Sequence, residues 1–361
     1  MASKIDFSSL TAAIPEVVSD FKDLIKTKSF EKGNFADVLN VVEGIEYDKK
    51  VGYIGNMPDI GKKANVANCT LNTVTVEIPT SEETWSPKPF DSRMFFCADD
   101  LNETIGQKLL NNGIKRYDIS ESDYFDEVIN ELARGFNRMW WRFAWMGEIN
   151  ATNVTASPPG DITAGLDVNF LNFQNGFFKR AYDRIGVASD QHITIAANAQ
   201  STKATQLSAL TADLAIGIAN NLYYNAPLEI RQNIINDGMV ALCTLSIHDK
   251  LKQYFQGKDL ESMLTNLENG MQSLKINGID FVGVPEMDHM IRKYNDLGST
   301  WKDPHRIILA EKNNLLFGVP SIADWGDFEM WYEKKDKGIY IDFEDKYDTR
   351  FAFSNQFMFA V

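Results

Sequence analysis

The stretch that decides the fold runs from Ser120 to Gly147, SESDYFDEVINELARGFNRMWWRFAWMG. Tyr124, Val128, Leu132, Phe136, Met139, Phe143 and Met146 recur at spacings of three and four, which is one stripe of a helix. Phe125, Ile129, Trp140, Trp141 and Trp145 widen that stripe toward its C-terminal end. Ser120 and Ser122 are N-cap residue types, and Asp123, Asp126 and Glu127 suit the positive end of a helix. Gly147 reads as the stop. At about 1.5 Å per residue the element would be roughly 40 Å long, about twice an ordinary helix. Gly135 inside it costs about 1 kcal/mol relative to Ala, so a close neighbour is expected there.

Upstream of this helix the chain has little core of its own. Residues 1–45 read as an arm. Val17, Val18, Phe21, Leu24 and Ile25 make one short apolar face after Pro15, and Phe35, Val38, Leu39, Val41 and Val42 make a second. Neither piece is long enough to bury itself, so a neighbouring chain is the natural partner. Residues 46–93 read as an extended β-hairpin or loop. Lys49, Lys50, Lys62 and Lys63 cluster among glycines, and Thr70–Ile78 alternates polar and apolar residues with Val74 and Val76 on one face. Trp85-Ser-Pro87 and Pro89 close the segment. Loops of this length inside a domain are uncommon and usually functional.

Downstream, residues 151–164 with Ser157-Pro158-Pro159-Gly160 form a linker by composition. Residues 165–325 read as an α/β domain with a mixed sheet. Its expected parts are helices over Thr202–Asn221, Pro227–Ile235 and Ser246–Gln256 and a buried strand over Met239–Thr244. Two hairpins are expected as well. Asn277-Gly278 favours a type I′ turn between Leu274–Ile276 and Ile279–Val284, and Asn313-Asn314 would join Arg306–Ala310 to Leu315–Phe317. Residues 326–361 return to strands, and Phe351, Phe353, Phe357 and Phe359 end the chain in residues suited to a buried sheet.

The bulk numbers set limits. A chain of 361 residues can hold two or three domains with real cores. A net charge of −14 argues against a basic nucleic-acid-binding surface, though not against a protein that encloses DNA without gripping it. Cys69, Cys97 and Cys243 are odd in number and widely spaced, which reads as reduced thiols in a cytosolic setting. Asn68, Asn102, Asn150 and Asn153 open N-x-Thr sequons, and without a secretion signal these are chance matches. No run of about 18 apolar residues occurs, so no membrane partner is expected.

Catalytic constellations are missing from the sequence. There is no GxGxxG after a strand, no Walker A loop, no GxSxG and no HExxH. His192, His248, His289 and His305 are dispersed, and Asp288-His289 lacks a third group. Glu82-Glu83, Asp99-Asp100 and Asp342–Asp345 are acidic clusters that read as solvated faces rather than cation sites. No catalytic, cofactor-binding or metal residue is assigned, and the chain is expected not to be an enzyme.

Four stretches then carry a resemblance: Lys49-Lys50-Val-Gly-Tyr-Ile-Gly55, Trp85-Ser-Pro87-Lys-Pro-Phe-Asp-Ser-Arg93, Arg142-Phe-Ala-Trp-Met-Gly147-Glu and Tyr347-Asp-Thr-Arg350. With the order of parts, they resemble the major capsid proteins of tailed bacteriophages with the Hong Kong 97-like fold. They look most like those of crAss-like and other Bacteroidota phages. The resemblance implies an α+β fold in which residues 1–45 are the N-terminal arm and 46–93 the extended loop. Residues 94–150 and 326–361 would form the peripheral domain around the spine helix 120–147, and 165–325 the axial domain.

It further implies a structural subunit that self-assembles into hexamers and pentamers of an icosahedral head enclosing double-stranded DNA, without sequence-specific contact and without a cofactor. Portal, scaffold and head-decoration proteins are the partners it implies, in a virion capsid assembled in the host bacterial cytoplasm. Phe21, Leu24, Val38, Lys62, Lys63, Val74, Val76 and Trp85 are the expected inter-subunit contacts. No long helical prefix precedes the arm, so no cleaved scaffold segment is expected. Deleting residues 1–45 should leave a soluble subunit that fails to close shells. Alternatives are an encapsulin-like cargo shell, an α/β enzyme, and a phage tail or adaptor protein.

Overall fold

The computed structural model describes residues 39–54, 80–97, 123–153, 162–236, 238–258, 264–266, 272–321, 329–333, 335–336 and 338–361. Its first strands are β1 (Asn40–Val42), β2 (Lys49–Ile54), β3 (Thr80–Trp85) and β4 (Lys88–Cys97). The long helix follows as α1 (Asp123–Met146). Next come α2 (Phe177–Ile185), β5 (His192–Ile193), α3 (Lys203–Ala209), α4 (Ala212–Tyr224) and α5 (Leu228–Ile235). Then follow β6 (Met239–Cys243), α6 (Leu245–Gln256), β7 (Leu264–Asn266), β8 (Gln272–Ile276), β9 (Ile279–Gly283) and α7 (Pro285–Tyr294). The chain closes with β10 (Ile307–Glu311), β11 (Leu315–Gly318), β12 (Glu329–Glu333), β13 (Gly338–Phe351) and β14 (Phe357–Ala360). The fold class is α+β.

Seven strands in the order β5-β14-β10-β6-β9-β8-β7 make one mixed sheet. Alternation along these strands sends side chains to opposite faces, and both faces are covered. Leu242, Val282, Ile308, Ala310, Phe357 and Phe359 join a core that includes α1 and α2. Ala241, Cys243, Phe281, Ile307, Leu309, Met358 and Ala360 join a second core with α4, α5 and α6. The first core is aromatic and the second mostly aliphatic. Asn277 and Gly278 both have positive φ, 51° and 84°, as the type I′ turn between β8 and β9 requires.

A second sheet has the order β1-β11-β13-β12, with β4 also paired to β13. The fourteen-residue β13 organises it. Its residues 338–347 pair antiparallel with β4 along one edge, while β12 and then β11 take the other edge. The last turns of α1 lie in the aromatic core shared with this sheet. Phe136, Met139, Trp140, Trp141, Phe143, Ala144, Trp145 and Met146 are buried, while Arg134, Gly135 and Arg138 face solvent. Tyr347 of β13 stacks between Phe143 and Phe317, with ring centroids 5.1 and 5.4 Å away. Such pairs add to what burial of large rings already contributes.

Five expectations change. β10 and β11 do not form a hairpin, because β10 pairs with β6 and β14 while β11 pairs with β13 and β1 in the other sheet. Helix Thr202–Asn221 is two helices, because Thr211 leaves the helix and its side chain caps the amide of Leu214. β14 belongs to the seven-stranded sheet rather than with the strands before it, since its alternating side chains fill both cores. Residues 39–45 belong to the body rather than to an arm: β1 runs parallel to β11, and Leu39 and Ile45 are each 1% exposed. Finally, a Cβ on Gly135 would meet nothing within 4 Å, so no close neighbour in this chain explains that glycine.

Candidate assembly surfaces

β2 and β3 pair antiparallel as a separate two-stranded ribbon, Lys49 opposite Trp85 and Ile54 opposite Thr80. The Thr70–Ile78 run expected to supply a strand lies outside the described residues. Lys49, Lys50, Gly52, Glu82 and Thr84 are exposed, and Lys50 reaches Glu82 at 3.2 Å. An exposed pair of this kind contributes little, typically below about 1 kcal/mol. A two-stranded ribbon alone is marginal in water, and among the described residues it is the foot that anchors this one.

The foot is locked. Trp85 is fully buried with Ile45, Leu316 and Ala352, and its ring presses so closely on Gly318 that a Cβ there would fall 2.4 Å from the indole. Only glycine fits. The Ser86 amide donates to Asp348 Oδ2 at 2.9 Å, and Gln174 Nε2 donates to the Ser86 carbonyl at 2.8 Å. Asp348, itself fully buried, also takes Arg180 Nη2 at 2.9 Å and Arg350 Nη2 at 3.0 Å. Two guanidiniums and two backbone amides converge on this buried carboxylate, so removing one partner would strand the rest.

Of the expected inter-subunit contacts, Phe21, Leu24, Val38, Lys62, Lys63, Val74 and Val76 lie outside the described residues. Trp85 is described, and its expectation is corrected: the ring is 0% exposed inside its own chain, which leaves no surface for a neighbour. Its sequence signal, a Trp beside two prolines, marked the ribbon's foot and not its outer face.

Sequence reasoning missed two exposed apolar surfaces. On the outward side of β4, β13 and β12, Phe95, Tyr340 and Trp331 form a ladder with centroids 4.8 and 5.4 Å apart. Beside it Arg93 pairs with Asp342. At the far end of the other sheet's helices, Tyr224, Leu228 and Ile235 are all more than half exposed. The alternation of β4 carried the first signal, because Phe95 falls on the same face as Asp91 and Arg93.

The acidic residues, histidines and cysteine with catalytic side-chain types take structural places. The Asp288 carboxylate accepts the Leu245 amide at the start of α6, and burial raises its pKa to about 6. His305 is fully buried. Its Nε2 lies 3.0 Å from the Gln206 carbonyl, which can only accept, so Nδ1 accepts from Ser246 Oγ at 2.7 Å. Burial holds His305 below its usual pKa. This serine–histidine pair has the reach of a nucleophile and base, but a carbonyl occupies the nitrogen that an orienting carboxylate would need. Cys243 is free and buried, with its thiol pKa raised by burial. Asp342 is tied to Arg93, and among the described residues no cluster of three His, Cys, Asp or Glu could hold a metal ion. No described helix is long and apolar enough to cross a membrane.

No protein-family model matches the sequence, and no curated protein matches it. Solved structures do. The chain is similar to the procapsid of satellite phage P4 that includes the size determination (Sid) protein, with a TM-score of 0.49 and 9% identity, over 95% of this chain and 98% of that one. It is similar to the capsid of cyanophage P-SCSP1u, with a TM-score of 0.47 and 13% identity, over 92% and 88% of the two chains. It is also similar to the capsid of a native GTA particle, with a TM-score of 0.43 and 9% identity, over 91% and 90%.

Proposed function

We propose that this chain is the major capsid protein of a tailed phage, a structural subunit with the Hong Kong 97-like fold. The observation that carries the reading is the ribbon: two strands with an exposed surface, rooted by a rigid foot in a body that has two cores of its own. A ribbon built this way recovers the cost of ordering it on neighbouring chains. The long helix buried along a β-sheet, and the apolar pieces upstream of Leu39, support the same reading.

In this reading the subunits form hexamers and pentamers, whose closed symmetry lets one set of contacts repeat around each ring. Phe21, Leu24, Val38, Lys62, Lys63, Val74 and Val76 supply inter-subunit contacts. Double-stranded DNA fills the shell without specific contact, since a chain of net charge −14 offers few phosphate-gripping surfaces. Portal, scaffold and head-decoration proteins complete the head, which assembles in the host cytoplasm. Repulsion between acidic subunits makes assembly depend on salt.

Electron microscopy of the protein, expressed alone and with its neighbouring genes across a range of salt, tests this. Closed icosahedral particles or hexameric rings are expected, with DNA co-purifying from the full gene set. A co-purifying enzyme would instead assign a cargo shell, and a monomer or dimer in every condition would overturn the shell reading. Because β1 belongs to the body, the arm is tested by removing residues 1–38 rather than 1–45. That truncation should fold and fail to close shells.

A further inference from the structure

One face of α1 carries its charges in two blocks. Asp123, Glu127 and Glu131 stand four residues apart in its first half, and Arg134, Arg138 and Arg142 stand four apart in its second. At about 3.6 residues per turn, these six positions fall within roughly 100° of one another around the axis. They form one stripe, acidic and then basic. Arg134 and Arg138 are exposed, and Arg142 is half-buried.

Two explanations within the subunit fall short. Like charges four apart on a helix oppose one another, so each block weakens the isolated helix. The helix dipole favours acid at the start and base at the end, but it fades within a turn, and α1 has no basic residue in its last turn. Arg138 and Arg142 make no ion pair among the described residues. Arg142 Nε is buried without a hydrogen-bond partner there, and Nη1 reaches the Tyr294 hydroxyl only at 3.4 Å. Gly135 is exposed, and a Cβ on it would meet nothing, although glycine weakens a helix interior. It lies within one turn of the point where the acidic block gives way to the basic one.

We propose that this stripe pairs with the same stripe of a second copy, two α1 helices lying antiparallel about a two-fold axis near Gly135. In that register position 123 meets 142, 127 meets 138 and 131 meets 134. Every Asp or Glu then faces an Arg, and the two-fold repeats each pair. Sliding one helix by four residues in the pairing loses one of the three pairs, and a parallel arrangement sets like against like. The occupant is a second copy because the stripe is its own complement. The missing side chain at Gly135 lets the helices approach closely beside the axis. Exposed charge pairs are weak singly and screened by salt, so the contact acts as a network and weakens as ionic strength rises.

Analytical ultracentrifugation of the full-length unassembled subunit at low ionic strength tests the pairing. The parent is expected to form a dimer. Arg138→Glu changes an exposed side chain and sets like charges opposite each other, so it should weaken the dimer about tenfold or more. Glu127→Arg should do the same, and the two substitutions together should restore the parent affinity. The two positions lie about 16 Å apart along one helix, so contact between chains is what couples them. Glu127→Arg with Arg134→Glu is the control: it keeps the parent net charge but sets like charges opposite at both positions, and should stay weak. A monomeric parent would overturn the proposal. So would failure of the matched pair to restore affinity, or restoration by the control. The contact extends the shell reading and rests on it for two copies meeting. Closure of particles is scored separately by electron microscopy, so either can fail alone.

Discussion

The seven-stranded sheet and the β2–β3 ribbon solve the same problem of pairing backbone in different ways. The sheet has side chains buried on both faces, against aromatic rings on one side and aliphatic helices on the other. The ribbon exposes Lys49, Lys50, Gly52, Glu82 and Thr84, and is anchored by Trp85 at its foot. Backbone pairing alone contributes too little to hold a ribbon. The difference separates a sheet buried within its own chain from a ribbon whose described outer positions are not.

The largest expected effect breaks the junction between the two regions. Trp85→Ala empties a fully buried site against Gly318, Ile45 and Leu316, and should cost roughly 3–5 kcal/mol. Urea unfolding of the unassembled subunit measures this. If the ribbon is rooted as described, amide exchange in β2 and β3 should accelerate more than in β6 or β9. Uniform acceleration would mean that the ribbon and the body are one cooperative unit.

A second effect is confined to the body. The folded pKa of Asp288, about 6, lies above its ordinary value of 3.8 because burial penalises the charge. Its contribution therefore favours the fold below about pH 4 and is lost as pH rises through 6; at neutral pH the buried charge opposes folding. Asp288→Asn keeps an oxygen for the Leu245 amide and removes the charge. Relative to the parent, the variant should gain roughly 2 kcal/mol between pH 4 and pH 7.5, read from urea midpoints. Burial of His305 acts in the opposite sense, since its lowered pKa means stability lost as pH falls below about 6.5. A gain of the same size at both pH values would remove Asp288 from the account.

The smallest effect probes the outer face of α1. Gly135 is exposed and a Cβ there meets nothing, so Gly135→Ala should stabilise the unassembled subunit by up to about 1 kcal/mol. Thermal unfolding checks it. A stabilised subunit that no longer assembles would identify the glycine as a point of close approach between chains.

The sequence by itself determined the elements with strong local patterns. The stripe from Phe136 to Met146 specified a helix and its buried side, and Asn277-Gly278 specified a turn, because helix period and positive φ are local properties. Tertiary structure alone decided which strands share a sheet. Nothing local distinguishes β10 and β11 from a hairpin, yet they pair into different sheets with partners distant in sequence. The same holds for Trp85, which meets its cavity only when Gly318 and Ile45 arrive. It holds for Arg306, whose bonds run to carbonyls and an asparagine that folding brings around it. Pairing and burial are contacts between separated segments, and their energies depend on which segments meet.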